Sequence, residues 1–215
     1  MNVRVVILDD HAVVRTGFRM ILSHHADIEV VGEAETGEQA LDMVRRLKPD
    51  VLLCDLHLPG ISGLEVTERV VRGKYGTRVM VLSILDDGPL PRRLLECGAS
   101  GYLCKACPAD ELVRAVRAVA NGGRYLDAGI AQQMALAGIQ GEGSPFDTLT
   151  SRELEVAMLL VQGRRPDDIA KRLSLSPKTV STHKCNLFQK LGVDDNIALA
   201  RLAGQHGLSD PACVL

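Results

Sequence analysis

The stretch Val51-Leu52-Leu53-Cys54-Asp55-Leu56-His57-Leu58-Pro59-Gly60 decides how this chain is read. A short apolar run ends abruptly in a carboxylate, and Pro59 and Gly60 then break the pattern. Entered from Lys48-Pro49-Asp50, a run of this length has the form of a parallel strand buried on both faces. Asp55 then falls at the carboxyl end of the strand, where open α/β sheets place their ligand sites. A lone Asp could equally begin a turn, and the ends of the other strands decide between the two readings.

Upstream, residues 3–8 are β-branched and apolar and end in Asp9-Asp10. Residues 13–22 have an amphipathic helical pattern, and 28–32 form a second strand. Thr36-Gly37-Glu38-Gln39 has the form of a capping box, with Thr36 as N-cap and Gln39 reaching back, and opens a helix to about Leu47. Downstream, 63–71 is helical and Val79-Met80-Val81-Leu82-Ser83 is a fourth strand ending in a hydroxyl. A helix over 91–97 precedes Gly101-Tyr102-Leu103-Cys104-Lys105, a short strand ending in a lysine. Pro108 opens the helix 110–120. Five alternations of strand and helix predict an α/β, doubly wound, five-stranded parallel sheet with helices on both faces.

In such a sheet the first, third, fourth and fifth strands end near one another. They carry Asp9 and Asp10, Asp55, Ser83 and Lys105. Three converging carboxylates repel unless a cation joins them, and all-oxygen ligands point to Mg²⁺. A lysine and a hydroxyl beside a metal-bound carboxylate suit an incoming phosphoryl group. Carboxylates can accept one, and Asp55, alone on the middle strand, is the natural nucleophile.

These residues resemble the receiver domain of bacterial two-component response regulators, from Val3 to about Gly122. The resemblance implies a flavodoxin/CheY-like fold in which Asp55 takes its phosphoryl group from a sensor histidine kinase. It further implies Mg²⁺ on Asp10 and Asp55, with Asp9 assisting through water and the backbone carbonyl of His57 as another ligand. Lys105 would bind the phosphate, and Ser83 and Tyr102 would form the switch pair that responds to it. The chain departs from the common pattern at Ala106, where many receivers have proline, at the bulky Ile84 after Ser83, and at His57. Cys104-Lys105-Ala106-Cys107 spells a Cys-x-x-Cys, but no second pair supplies the other ligands of a zinc site, so inert thiols are expected. His24-His25 is expected at an exposed helix end without a function.

Composition bounds the rest. The 215 residues allow one large domain or two small ones, and 46% hydrophobic with 24% charged residues is an ordinary globular balance. No apolar run approaches the roughly 20 residues that span a bilayer, and the start of the chain lacks the pattern of a signal peptide. The expectation is a cytoplasmic protein with no membrane insertion and with thiols rather than a disulfide framework. The overall charge of −2 hides an asymmetry, because Ser151 to Lys190 holds eight basic and four acidic residues, a net +4 that leaves −6 elsewhere. A basic C-terminal part suggests a polyanionic partner.

That part opens after Gly141-Glu142-Gly143-Ser144-Pro145, a Gly/Ser/Pro break that follows a helical pattern over 128–139. Thr150-Ser151-Arg152-Glu153 is a second capping box, starting a helix that Gly163 ends. Pro166 opens the next helix, and Ser176-Pro177 supplies N-cap and N1 of a longer one to Leu191. Two helices joined by a tight turn, the second basic, predict a small all-α helix-turn-helix domain. Val180, Leu187 and Leu191 should pack inward. Lys178, Ser181, Thr182, Cys185 and Gln189 share the opposite face, and Lys184 lies near its edge with its charge reaching out to a phosphate. A final amphipathic helix over 195–205, with Ile197, Leu199 and Leu202, suits packing or dimer contact.

Leu149-Thr150-x-Arg152-Glu153, Ile169-Ala170, Ser176-x-x-Thr179-Val180-x-x-His183 and Lys190-Leu191-Gly192-Val193 are similar to the LuxR/NarL type of DNA-binding domain. With the receiver this defines the NarL/FixJ class, and Asp87 to Pro91, Gly129 to Leu136 and Ser144-Pro145-Phe146 resemble the GacA/UvrY global regulators. The resemblance implies a double-stranded DNA promoter and a sensor kinase as partners, a homodimer when active, and small regulatory RNA genes as targets. Its DNA contacts would be Lys178, Thr179, Ser181, Thr182, Lys184 and Cys185. Lys178-Thr179-Val180 is shared with regulators of sugar-phosphate uptake, which makes another regulon the alternative. The expected organisation is a receiver over 1–122, a linker with a helix over 123–147, the helix-turn-helix domain over 148–208 and a tail over 209–215. An enzyme is not expected: phosphatases of the haloacid-dehalogenase type need Asp-x-Asp after the first strand, and here Asp9-Asp10-His11-Ala12 stands.

Overall fold

The apolar run Val3–Leu8 forms β1, and the strands on both sides of it are parallel to it. In this computed structural model residues 2–56, 58–83, 90–132, 144–173 and 175–206 are described. β2 (Ile28–Ala34), β3 (Val51–Asp55), β4 (Arg78–Ser83), β5 (Gly101–Cys104) and β6 (Tyr125–Leu126) complete a sheet of order β2-β1-β3-β4-β5-β6. All its pairings are parallel. The connecting helices are α1 (Ala12–Ser23), α2 (Gly37–Leu47), α3 (Gly63–Gly73), α4 (Leu90–Glu96) and α5 (Ala109–Ala120).

Period-two alternation divides the strands between two cores. Val5, Ile7, Val51, Leu53, Met80, Leu82 and Leu103 pack with Phe18 and Leu22 of α1 and with Leu112, Val116 and Val119 of α5. Val6, Leu52 and Val81 alternate with them, are equally buried, and lie on the side of α2 and α3. β3 is buried at all five positions, as the continuous apolar run requires.

Two details differ from the sequence reading. The sheet has six strands rather than five. Gly122, at φ +87°, turns the chain after α5, and Tyr125 N–H then donates to Ser100 O at 3.1 Å to start the edge strand. Two residues are too few to show an alternation, and they lie in the stretch read as linker. Thr36 does cap α2 by accepting from Gln39 N–H, but Gln39 Oε1 accepts from Glu35 N–H at 2.9 Å, one residue beyond the N-cap.

The sheet unit runs to Ala131. The expected helix over 128–139 is described only for 128–132, which are helical, and Gly141 to Gly143 lie outside the described residues, as do Ile84 and Asp87 to Pro89. In the second unit a 3₁₀ turn, Pro145–Thr148, leads into α6 (Ser151–Val161), α7 (Pro166–Arg172), α8 (Pro177–Leu191) and α9 (Asn196–Gln205). The second capping box is complete: Thr150 accepts from Glu153 N–H, and Glu153 accepts from Thr150 N–H at 2.8 Å. Leu154, Ala157, Ile169, Leu173, Val180, Leu187 and Leu199 are buried in this unit. Among the described residues no helix is long and apolar enough to cross a membrane.

Candidate functional site

The strand ends meet as the topology requires. Asp9 and Asp55 are buried, at 1% and 2% exposure, and carboxylate oxygens of Asp9, Asp10 and Asp55 lie within 4.8 Å of one another and of a His11 ring nitrogen. Lys105 reaches in from the end of β5, with Nζ 2.6 Å from Asp9 Oδ2 and 2.8 Å from Asp55 Oδ2. Burial alone would lower the lysine's pKa, but its hydrogen bonds to Asp55 and Asp9 outweigh that and raise it. Lys105 N–H donates to Ser83 O at 2.8 Å, which fastens the lysine-bearing strand end to the hydroxyl-bearing one. Ser83 and Tyr102 are wholly buried.

Asp55 is held from behind by a close approach. A Cβ at Gly63 would stand 2.0 Å from Asp55 O and 2.8 Å from Leu56 Cα, so only glycine lets α3 start against the end of β3. Gly63 N–H donates to Leu56 O at 3.1 Å, and Thr67 Oγ1 donates to Gly63 O at 2.7 Å.

The donor set suits a hard divalent cation. Three carboxylates against one ammonium leave two negative charges uncompensated, and every carboxylate ligand is oxygen. His11 Nδ1 stands 2.7 Å from Asp10 Oδ1, but that approach is not a hydrogen bond, and this buried oxygen has no hydrogen-bond partner. An orphaned buried carboxylate oxygen beside two further carboxylates is what a cation site presents. The expected ligand at the backbone carbonyl of His57 lies outside the described residues.

Sequence reasoning passed over two neighbours of this pocket. His11 N–H donates to Asp9 Oδ1 at 2.8 Å. Arg15, only 7% exposed, donates from Nη1 to the Asp9 carbonyl at 2.7 Å and from Nη2 to Glu35, with Glu33 Oε2 3.8 Å from its Nε. An arginine in an amphipathic helix reads as a solvated face. Its spacing of six from Asp9, one turn into the helix after the strand end, was the available signal.

The Cys54 thiol donates to Asp55 O at 3.3 Å. Burial pushes the Cys107 thiol up to about 11 and raises that of Cys54 as well. His24 lies exposed at the end of α1, where its Nδ1 is 2.6 Å from Met20 O.

In the second unit α8 sorts its faces as its sequence predicts. Val180 and Leu187 are wholly buried and Leu191 half-buried, while Lys178, Ser181, Thr182, Cys185 and Gln189 are exposed. Ser176 accepts from Thr179 N–H at 3.1 Å and shares a hydroxyl contact of 2.8 Å with Thr179 Oγ1, so Thr179 is engaged in the cap. Ser181 and Thr182 donate back to the Pro177 and Lys178 carbonyls at 3.0 Å, which leaves their oxygens outward as acceptors. Lys184 Nζ lies 5.0 Å from the centre of the Phe188 ring, stem packed and charge at the edge of the face. Lys190 is turned inward, 2.6 Å from Glu153 Oε2, and so leaves the basic face.

Comparison with known proteins agrees with both units. Residues 5–117 match the response regulator receiver domain, and 147–203 match the bacterial regulatory proteins of the luxR family. The response regulator GacA of Pseudomonas aeruginosa is 41% identical over 212 residues, covering 98% of this chain and 99% of that protein. The response regulator UvrY of Escherichia coli K12 is 40% identical over 208 residues, covering 96% and 95%. RcsB of Salmonella enterica serovar Typhimurium, solved on promoter P1flhDC with the phosphomimetic BeF3−, superposes with a TM-score of 0.70 at 27% identity, covering 95% of this chain and all of that one. With its acidic pocket at the end of a parallel sheet and a helix-turn-helix unit later in the sequence, the chain belongs to the DNA-binding response regulators of two-component systems, the receiver–LuxR kind that includes GacA and UvrY.

Proposed function

We propose that Asp55 is the phosphoacceptor, that a sensor histidine kinase is its donor, and that the phosphorylated protein binds promoters as a homodimer through α8. The observation that carries this reading is the Lys105 ammonium bridging the buried carboxylates of Asp55 and Asp9 at 2.8 and 2.6 Å. A carboxylate oxygen of Asp55 attacks phosphorus and the bond to the donor's imidazole nitrogen breaks, leaving an acyl phosphate on Asp55 and the donor histidine restored. Lys105 follows the negative charge onto the phosphoryl oxygens, and the Ser83 hydroxyl, buried at the end of β4, would donate to another. Asp10 and Asp55 would hold Mg²⁺ directly, with Asp9 through water and the His57 carbonyl as a further ligand. When bound, the ion neutralises charge on the transferring group. Tyr102, buried on the neighbouring strand β5 opposite Val81, would complete the switch with Ser83.

On DNA, Lys178 and Lys184 would meet phosphates, while Ser181, Thr182 and Cys185 face base edges and Thr179 holds the start of the helix. On this reading the targets are promoters of small regulatory RNA genes, reached in the cytoplasm, and what supports it is that GacA and UvrY are response regulators similar over almost the whole chain. The test is genome-wide footprinting with wild type and Asp55→Asn, each with and without a small phosphodonor and Mg²⁺. Phosphodonor-dependent occupancy of such promoters by the wild type alone is expected. Equal occupancy by both proteins in all conditions overturns the reading.

A further inference from the structure

We propose that Arg15 is a positioning residue for the acidic pocket, acting on Asp9 and Asp10 together through the single peptide unit that joins them. The inference rests on the phosphoacceptor reading above. Asp9 and Asp10 follow the last ladder position of β1, where the sheet no longer fixes the backbone on both sides. Asp9 N–H still donates to Ala34 O at 3.2 Å, but the Asp9 carbonyl receives Arg15 Nη1–H at 2.7 Å. That carbonyl belongs to a planar unit containing the Cα atoms of both Asp9 and Asp10. Pinning its oxygen therefore sets the direction from which both side chains leave the backbone.

Arg15 is itself braced. Its other terminal nitrogen donates to Glu35, just past β2, and Glu33 on β2 stands 3.8 Å from its Nε. The planar guanidinium can make both bonds at a fixed spread, which a lysine ammonium cannot. The result is a rigid strut from the end of β2, across α1, to the backbone under two carboxylates. Lys105 and the His11 N–H hold the Asp9 side chain by hydrogen bonds, whereas His11 Nδ1, 2.7 Å from Asp10 Oδ1, makes none there, and that buried oxygen has no hydrogen-bond partner. Asp10 thus depends on its backbone for its aim.

The strut predicts the opposite of what the charge of Arg15 alone would do. A nearby positive charge repels a cation, so losing it should tighten Mg²⁺ binding. Losing the strut should weaken it, by about tenfold or more, the usual size for a group that orients a metal's ligands. Mg²⁺ affinity is measured by calorimetry on the full-length wild type, Arg15→Met and Arg15→Lys, with the thermal midpoint of each metal-free protein recorded alongside. Both variants should bind Mg²⁺ about tenfold or more weakly. Arg15→Lys should label Asp55 at the wild-type rate once Mg²⁺ is saturating and fall behind only when it is limiting. Unchanged or tighter Mg²⁺ binding by Arg15→Lys, which keeps the charge and the packed stem, overturns the proposal even if Arg15→Met fails to fold. A deficit of Arg15→Lys that persists at saturating Mg²⁺ also overturns it, because that is general damage. Absence of Mg²⁺-dependent labelling in the wild type would instead defeat the phosphoacceptor reading itself.

Discussion

At the scale of single residues, the pocket is made by backbone placement as much as by charge. Gly63 is the clearest case, since a Cβ there would stand 2.0 Å from the Asp55 carbonyl oxygen and its absence lets α3 begin against the end of β3. Gly63→Ala is expected to destabilise the protein by about 1–3 kcal/mol in chemical denaturation, with slower labelling of Asp55 because the acceptor is pushed off Lys105. An unchanged unfolding midpoint would show that the loop yields without cost. Asp9, Asp10, Asp55, Ser83 and Lys105 were legible in the sequence because each lies at or just past the end of a strand, and strand ends in a wound sheet converge by topology. Arg15 and Gly63 were not legible in the same way. Their roles come from which atom they touch or leave room for, and neither periodicity nor residue type carries that.

At the scale of elements, α8 is joined to α6 by one partly buried pair. Glu153, 3% exposed, closes the Thr150 capping box and also accepts from Lys190 at 2.6 Å. Burial would raise the Glu153 pKa, but Lys190 and the Thr150 hydrogen bonds together lower it. A lowered carboxylate pKa stabilises the folded state above the unfolded value, near 4.3, and that contribution is lost as pH falls through the folded pKa. Lys190, whose side chain is 37% exposed, makes a solvent-screened pair, so Lys190→Met should cost about 1 kcal/mol at neutral pH and flatten the loss of stability on acidification. An acid-unfolding profile parallel to wild type would exclude the pair as its source. The capping boxes and Pro-started helices of this unit were legible because they are local, whereas the inward turn of Lys190 depends on a contact 37 residues away. The two-residue edge strand β6 was missed for a related reason, since only pairing with β5 defines it. On DNA, Lys184→Ala should weaken all duplexes and lower the salt slope by about one unit. Substituting Ser181 or Thr182 should instead change sequence preference by about 1–3 kcal/mol at one position. Equal losses on specific and random duplexes for both kinds of variant would remove α8 from the groove.

At the scale of the whole molecule, phosphorylation has to shift a population of states. Moving a two-state equilibrium from 1:99 to 99:1 takes about 5.5 kcal/mol of differential stabilisation. Ser83 and Tyr102 are both fully buried, so under the proposed mechanism a phosphoryl group on Asp55 would act on packed side chains rather than exposed ones. In the helical unit, α9 buries Leu199 but leaves Ile197 72% exposed, and the proposed homodimer would cover it with a second copy. Ile197→Asp should leave unfolding within about 0.5 kcal/mol of wild type while weakening binding to a two-fold site more than to a half-site. Equal weakening on both would place Ile197 outside the dimer contact. All of this depends on one chemical event, and it can be observed directly. The full chain is incubated with a small phosphodonor, with and without Mg²⁺, and the modified residue is located by mass spectrometry after trapping the acyl phosphate. The account predicts a single Mg²⁺-dependent modification at Asp55 that Asp55→Asn abolishes, and a stable aspartyl phosphate at any other residue of the wild type would contradict it.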